Sequence, residues 1–282
     1  MENTNNPLLQ YIRKPMATLD LSSKGKFWPA GSLKKPNTLD VFPMTGQDEI
    51  LLVNTSYILL GSVLAEIIEN CVPDITDVWS MPRIDLDSVI IAIRCASYNN
   101  TMNVQYVCSA CNTNQTHTVD LRDVSQQIAI PDYDNPLIIN DNLALWFRPV
   151  TFREHFQQVV DQNSKLSVIK QLSSENLTDE EKQKIINNNL REITKINISN
   201  LANSIDRVLI DNQISVTSQD FIKDWLIKLD RETFSTVSVA ISNKIQEYKL
   251  PSKSFICKNS NCNHQHELTI DFNPADFLSK GA

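Results

Sequence analysis

Two pairs of cysteines are the residues of this chain whose types and spacing most clearly indicate chemistry. Cys108 and Cys111 have two residues between them, and Cys257 and Cys262 have four. Thiolates in close pairs of this kind are the usual ligands of structural zinc sites, in which four sulfurs surround one ion. The sequence therefore predicts one structural zinc ion bound by Cys108, Cys111, Cys257 and Cys262.

The two pairs share a local pattern that predicts their backbone structure. A β-forming residue precedes each first cysteine (Val107 and Ile256), and an asparagine follows each second cysteine (Asn112 and Asn263). A metal-binding turn often needs a left-handed residue at that last position, and asparagine tolerates it better than most residues. We therefore expect two hairpins, each with the order strand, cysteine turn, strand.

Two alternatives to a four-thiolate zinc site stay open at this stage. The pairs could form disulfides, but the first six residues lack the basic and apolar regions of a secretory signal. We therefore expect a reducing compartment, where paired cysteines more often bind metal. Histidine could also replace one thiolate, and the candidates near the pairs are His117, His264 and His266.

The remaining composition gives no catalytic site and no small-molecule site. The chain has only five glycines and no glycine-rich phosphate loop, and no nucleophile–base arrangement is recognisable. We assign no catalytic residue and expect a protein that is not an enzyme. The net charge of −7 argues against nucleic-acid binding, and no apolar run is long enough to cross a membrane.

A repeated order of elements predicts an internal duplication. Thr45 with Asp48 and Thr151 with Glu154 are capping-box patterns that follow a strand and a proline. Each box is followed by helical patterns and then by a cysteine hairpin. Chance recurrence is the alternative, because capping boxes are common. The expected fold is α+β, with two duplicated helical and hairpin halves joined through a split four-cysteine zinc ribbon and a larger helical insertion in the second half.

These patterns divide the chain into four segments. We expect an extended arm over residues 1–36, a first repeat over 37–130, a mainly helical second repeat over 131–250, and a second zinc hairpin with a tail over 251–282. The arm is polar and aperiodic, so we expect it to be dispensable for folding. It could lie on a partner or fold back over its own core. Within the second repeat, residues 164–175 are an expected exposed connector.

An ordered set of short motifs resembles a known family. The set comprises residues 21–25 (Leu-Ser-Ser-Lys-Gly), residues 42–49 (Phe-Pro-Met-Thr-Gly-Gln-Asp-Glu), a predicted helix end at residues 69–72 (Glu-Asn-Cys-Val), residues 94–98 (Arg-Cys-Ala-Ser-Tyr), the turn of Cys108 and Cys111, and residues 119–121 (Val-Asp-Leu). In this order they resemble the baseplate hub proteins of T-even-type contractile-tailed phages, also called T4 bacteriophage base plate proteins.

The resemblance implies a late viral protein that acts in tail assembly. Its expected partners are other baseplate hub proteins or the tape-measure protein, without nucleic acid, membrane or small-molecule substrate. Its expected location is the tail baseplate of the virion, and the host cytoplasm during assembly. Two roles fit: a component of the hub, or an assembly chaperone that is absent from the mature particle. The competing interpretation is a cytosolic zinc-ribbon regulatory protein.

Overall fold

The computed structural model describes residues 13–35, 38–53, 60–171, 178–250, 252–269 and 277–278. The fold is α+β, as predicted, with helices and small antiparallel sheets. In chain order the elements are β1 (Ala17–Asp20), β2 (Thr38–Val41), α1 (Gly46–Val53), α2 (Leu60–Cys71), α3 (Arg83–Ser97), β3 (Thr101–Val107), β4 (Asn114–Asp120), α4 (Leu121–Gln126), β5 (Leu137–Asn140), β6 (Leu143–Phe147), α5 (Phe152–Gln171), α6 (Asp179–Asn203), β7 (Ile205–Ile210), β8 (Ile214–Val216), α7 (Gln219–Lys228), α8 (Arg231–Glu247), β9 (Ser252–Ile256) and β10 (Gln265–Thr269).

The chain forms two compact units that do not follow its linear order. The first unit comprises Met1–Val78, Asp85–Ile128 and Leu250–Ala282, and the second comprises Trp79–Ile84 and Ala129–Lys249. The last predicted segment therefore belongs to the same unit as the first cysteine hairpin. The four predicted segment boundaries stay predictions.

The first unit has a core built largely on α2. This helix buries Leu64, Ile67, Ile68 and Cys71 completely, at the i, i+3, i+4 and i+7 spacing of one helix face. The buried residues of α3 add a second apolar surface, including Val89. The apolar helical context of Cys71 and Cys95 predicts two buried small apolar residues; Cys71 is buried, whereas Cys95 is only half-buried.

The segment before residue 36 contributes to the core of the first unit. Strand β1 pairs antiparallel with β2, with Leu19 opposite Leu39. Leu19 and Leu21 are 5% and 3% exposed. We expect this segment to lie either on a partner or over its own core, and its described part lies over its own core. The burial of these two leucines, which lie two residues apart and so on one face of extended chain, argues against the expectation that the segment is dispensable for folding.

A buried carboxylate fixes the loop that follows β1. Asp85, the third residue of α3, has no exposed surface. Its two oxygens accept hydrogen bonds from the Ser23 amide at 2.8 Å, the Ser23 hydroxyl at 2.5 Å and the Trp28 indole nitrogen at 2.8 Å. Burial raises the pKa of Asp85 above its usual range. The sequence places Asp85 at a predicted helix start, where a cap or dipole role suffices, whereas in the structure it anchors a loop that lies 57 to 62 residues away in the chain.

Both predicted capping boxes begin helices. The Asp48 carboxylate accepts from the amide and the hydroxyl of Thr45, and the Asp48 amide donates back to the Thr45 hydroxyl. Glu154 makes the same three bonds with Thr151. The two boxes fall in different units, and the duplication of the two halves stays a prediction.

The second unit combines a four-stranded antiparallel sheet, in the order β5-β6-β7-β8, with a hairpin of the long helices α5 and α6. The described part of the expected connector, residues 164–171, is helical, because α5 continues to Gln171. Residues 164–171 contain no proline or glycine that would end a helix, and residues 172–175 lie outside the described ranges. Within those ranges, no helix combines the length and apolar character needed to cross a bilayer.

His155 is a titratable group inside the second unit. It lies on α5 with its ring 5.5 Å from that of Phe156. Burial, with a smaller contribution from the charge of Arg83, lowers the pKa of His155 to about 3. The imidazole is therefore neutral in the folded protein over the whole physiological range.

Candidate metal centre

Two hairpins of the first unit carry the four cysteines. The first hairpin pairs β3 with β4, and the second hairpin pairs β9 with β10. The same bond closes both turns: the amide of the first cysteine donates to the carbonyl two residues after the second cysteine. The distances are 3.0 Å from Cys108 to Thr113 and 2.9 Å from Cys257 to His264. The predicted order of strand, cysteine turn and strand is therefore present twice.

An asparagine in the left-handed region ends each cysteine turn, as the sequence predicts. Asn112 has φ of 56° and Asn263 has φ of 47°. This backbone conformation disfavours side chains with a bulky Cβ, and asparagine tolerates it. The Asn112 amide also donates back to the Cys108 carbonyl at 2.8 Å, and this bond closes the turn around the sulfurs.

The four cysteine sulfurs form one compact cluster. They all lie within 4.8 Å of one another and could hold a metal ion. Across the hairpins, the sulfurs of Cys108 and Cys262 are 3.8 Å apart, and those of Cys111 and Cys257 are 3.7 Å apart. A tetrahedral ion with Zn–S bonds of about 2.3 Å places its sulfurs about 3.8 Å apart. All four are free thiols, and these separations are well beyond the roughly 2.05 Å of a disulfide.

The surroundings of the cluster shift the pKa values of two of its thiols in opposite directions. The Thr113 hydroxyl lies 3.1 Å from the Cys111 sulfur, and hydrogen bonding by Thr113 lowers the pKa of Cys111 to about 6. Burial raises the pKa of the Cys257 thiol to about 12. Four thiolates this close repel one another, so a bound cation is the natural way to keep all of them deprotonated.

The nearby histidines pack between the hairpins and lie outside the sulfur cluster. The Tyr106 ring stacks on His117 at 5.4 Å and meets His266 at 4.8 Å, while His117 lies 4.4 Å from Phe255. The Tyr106 hydroxyl and the His117 Nε2 are 3.1 Å apart. His264 is next to Ser109, with 3.5 Å between its Nε2 and the hydroxyl oxygen. The group of close ligand atoms consists of the cysteines.

This aromatic packing is the part of the site that the sequence analysis missed. A signal exists in the alternation of the strands: Tyr106 and His117 share a face of the first hairpin, and Phe255 lies directly opposite His266 in the second. Polar contacts also join the hairpins, and in one of them the Lys258 amide donates to the Gln115 side-chain oxygen at 3.0 Å.

These features define an α+β protein with two hairpins that meet at a closed four-thiol cluster, an arrangement typical of structural rather than catalytic metal sites. The family model of the T4 bacteriophage base plate protein matches residues 16–279. The chain therefore belongs to the T4 bacteriophage base plate protein family, and the resemblance noted in the sequence is confirmed. Comparison with curated proteins and with solved structures gives no match.

Family membership indicates a structural or assembly role in a bacteriophage tail baseplate. The protein is located in the tail of the virion, and its partners are other baseplate proteins. The family description names no enzymatic activity.

Proposed function

We propose that this protein is a non-enzymatic component of the baseplate hub of a contractile-tailed phage, held together by one structural zinc ion. The observation that supports a baseplate role is the family match over residues 16–279, and the hub assignment follows the motif resemblance to baseplate hub proteins. Partners are other hub proteins or the tape-measure protein, bound through protein–protein contacts. An assembly chaperone that leaves before the particle is complete is the alternative role.

The zinc ion is bound by Cys108, Cys111, Cys257 and Cys262. The observation that supports this ligand set is the spacing of the sulfurs, 3.7 and 3.8 Å across the hairpins. Four thiolates in a tetrahedral arrangement favour zinc over magnesium and calcium, which take oxygen ligands. The ion joins chain segments 146 residues apart, so it stabilises the first unit and takes no part in chemistry.

Metal analysis of the purified protein tests the zinc site. We expect one zinc per chain by mass spectrometry of the elements, and loss of that zinc in Cys108→Ser. Structural zinc contributes on the order of 10 kcal/mol to folding, so Cys108→Ser should also unfold at a much lower temperature. Cys95→Ser is the matched control, because Cys95 is half-buried but outside the cluster. Folded wild-type protein without bound metal would refute the site.

Purified phage particles test the hub role against the chaperone role. Quantitative mass spectrometry should find this chain in intact particles at a fixed ratio to other baseplate proteins. A host cytosolic protein measured in the same sample controls for contamination. Presence in assembly intermediates together with absence from particles would replace the hub assignment with the chaperone. The same preparations test the expected partners by chemical crosslinking.

A further inference from the structure

Each cross-hairpin pair of sulfurs combines a sheltered atom with a partly accessible one. Cys108 and Cys257 are buried, whereas Cys262 and Cys111 are half-buried. Cys108 is next to Cys262, and Cys111 is next to Cys257, at 3.8 and 3.7 Å. An oxidant from solution would therefore meet one sulfur of each pair first, with the second sulfur already in place beside it.

We propose that the cysteine cluster is also an oxidative modification site. At this site peroxide converts the four metal-bound thiolates into two disulfides between the hairpins, Cys108–Cys262 and Cys111–Cys257. The inference rests on the proposed function, because it concerns the same four thiolates and a particle that leaves the reducing cytosol at lysis. Outside that compartment thiols are no longer kept reduced, and disulfides persist.

The chemistry of each pair balances with one peroxide. The half-buried thiolate attacks hydrogen peroxide, the O–O bond breaks, and a sulfenic acid and hydroxide form. The buried thiolate of the facing hairpin then attacks that sulfur, and the disulfide forms as a second hydroxide leaves. Two thiolates lose two electrons, and one peroxide gains them. Two peroxides therefore oxidise all four ligands, and the metal ion, which disulfides no longer bind, is released.

The geometry favours bonds between the hairpins because little movement is needed. Each facing pair must approach by roughly 1.7 Å to reach disulfide distance. The packing of Tyr106, His117 and Phe255 holds the two hairpins together independently of the sulfurs. Disulfides between hairpins also close loops of 154 and 146 residues, which restrict the unfolded chain far more than a bond within one cysteine turn does.

Disulfide mapping on the full-length zinc-loaded protein tests the proposal. The protein is treated with two equivalents of hydrogen peroxide, and released zinc is followed with a chromogenic chelator. Trypsin cuts after Lys258 and elastase cuts after Ala110, so digestion separates all four cysteines for mass spectrometry without reduction. We expect peptides that link Cys108 to Cys262 and Cys111 to Cys257, with one equivalent of zinc released.

Thermal unfolding gives a second readout. A strong chelator should lower the unfolding temperature of untreated protein and have no effect on the peroxide-treated protein, because disulfides have replaced the metal. The matched control is Cys71→Ala/Cys95→Ala, which removes the two cysteines outside the cluster and should give the same disulfides and the same zinc release.

The outcomes separate this proposal from the zinc proposal. Bonds within each turn, Cys108–Cys111 and Cys257–Cys262, would overturn it, and so would sulfinic acids without disulfides. Protein that contains no zinc as isolated but still forms both cross-hairpin bonds would refute the metal site and support this inference. Zinc-loaded protein that forms neither bond would support the metal site and overturn this inference.

Discussion

Replacement of Asp85 by alanine should strongly destabilise the first unit. The carboxylate is completely buried and accepts three hydrogen bonds, from the Ser23 amide, the Ser23 hydroxyl and the Trp28 indole. A hydrogen bond to a charged group contributes about 1.5 to 3 kcal/mol, and a buried donor left without a partner costs about 1 to 3 kcal/mol. Relief of the buried charge offsets part of this loss, so we expect a net cost of about 3 to 5 kcal/mol.

The stability of Asp85→Asn should fall between that of Asp85→Ala and that of the wild type. Its amide keeps one oxygen that can replace either carboxylate oxygen, but its NH₂ group then faces a donor. The expected loss is about 1 to 3 kcal/mol. Urea unfolding of the full-length protein followed by circular dichroism measures both values. Trypsin should also cut after Lys24 and Lys26 faster in Asp85→Ala, because the loop between Ser23 and Trp28 has lost its anchor.

Asp224→Ala is the matched control, since Asp224 is an exposed carboxylate on α7, and it should change stability by no more than about 0.5 kcal/mol. A loss below about 1 kcal/mol in Asp85→Ala, or equal cleavage of the loop in both variants, would refute the anchoring role.

Three further predictions follow from other elements. The pKa of His155 is lowered to about 3 in the folded protein, so the unfolded chain takes up the proton at higher pH than the folded chain does. The free energy of unfolding should therefore fall as the pH drops below about 6.5, and His155→Phe should weaken this pH dependence in unfolding experiments. Asn112→Ala should cost about 1 to 2 kcal/mol because of its positive φ, whereas Asn112→Gly should be nearly neutral. Deletion of residues 1–35 should lower the unfolding temperature markedly, because Leu19 and Leu21 are buried. An unchanged unfolding temperature would support the expectation that this segment is dispensable for folding.

Local chemistry explains why much of the site could be predicted from the sequence. Left-handed asparagines, cysteine turns and Thr45 with its capping box depend on neighbours within a few residues. The role of Asp85 depends on Ser23 and Trp28, 62 and 57 residues away, and no local pattern indicates that pairing. Leu19 and Leu21 are too few to give a periodic signal, so their strand could not be recognised until β2 was placed beside it.

The order of the units along the chain has a consequence for synthesis. The first cysteine turn is made 146 residues before Cys257, and the intervening chain contains nearly all of the second unit. At about 5 to 20 residues per second, a ribosome needs roughly 7 to 30 s to cover that distance. Throughout this interval Cys108 and Cys111 have no partner hairpin, while the second unit can already fold as it emerges. The first unit is therefore completed after the second, although its strands β1 and β2 leave the ribosome before any part of the second unit.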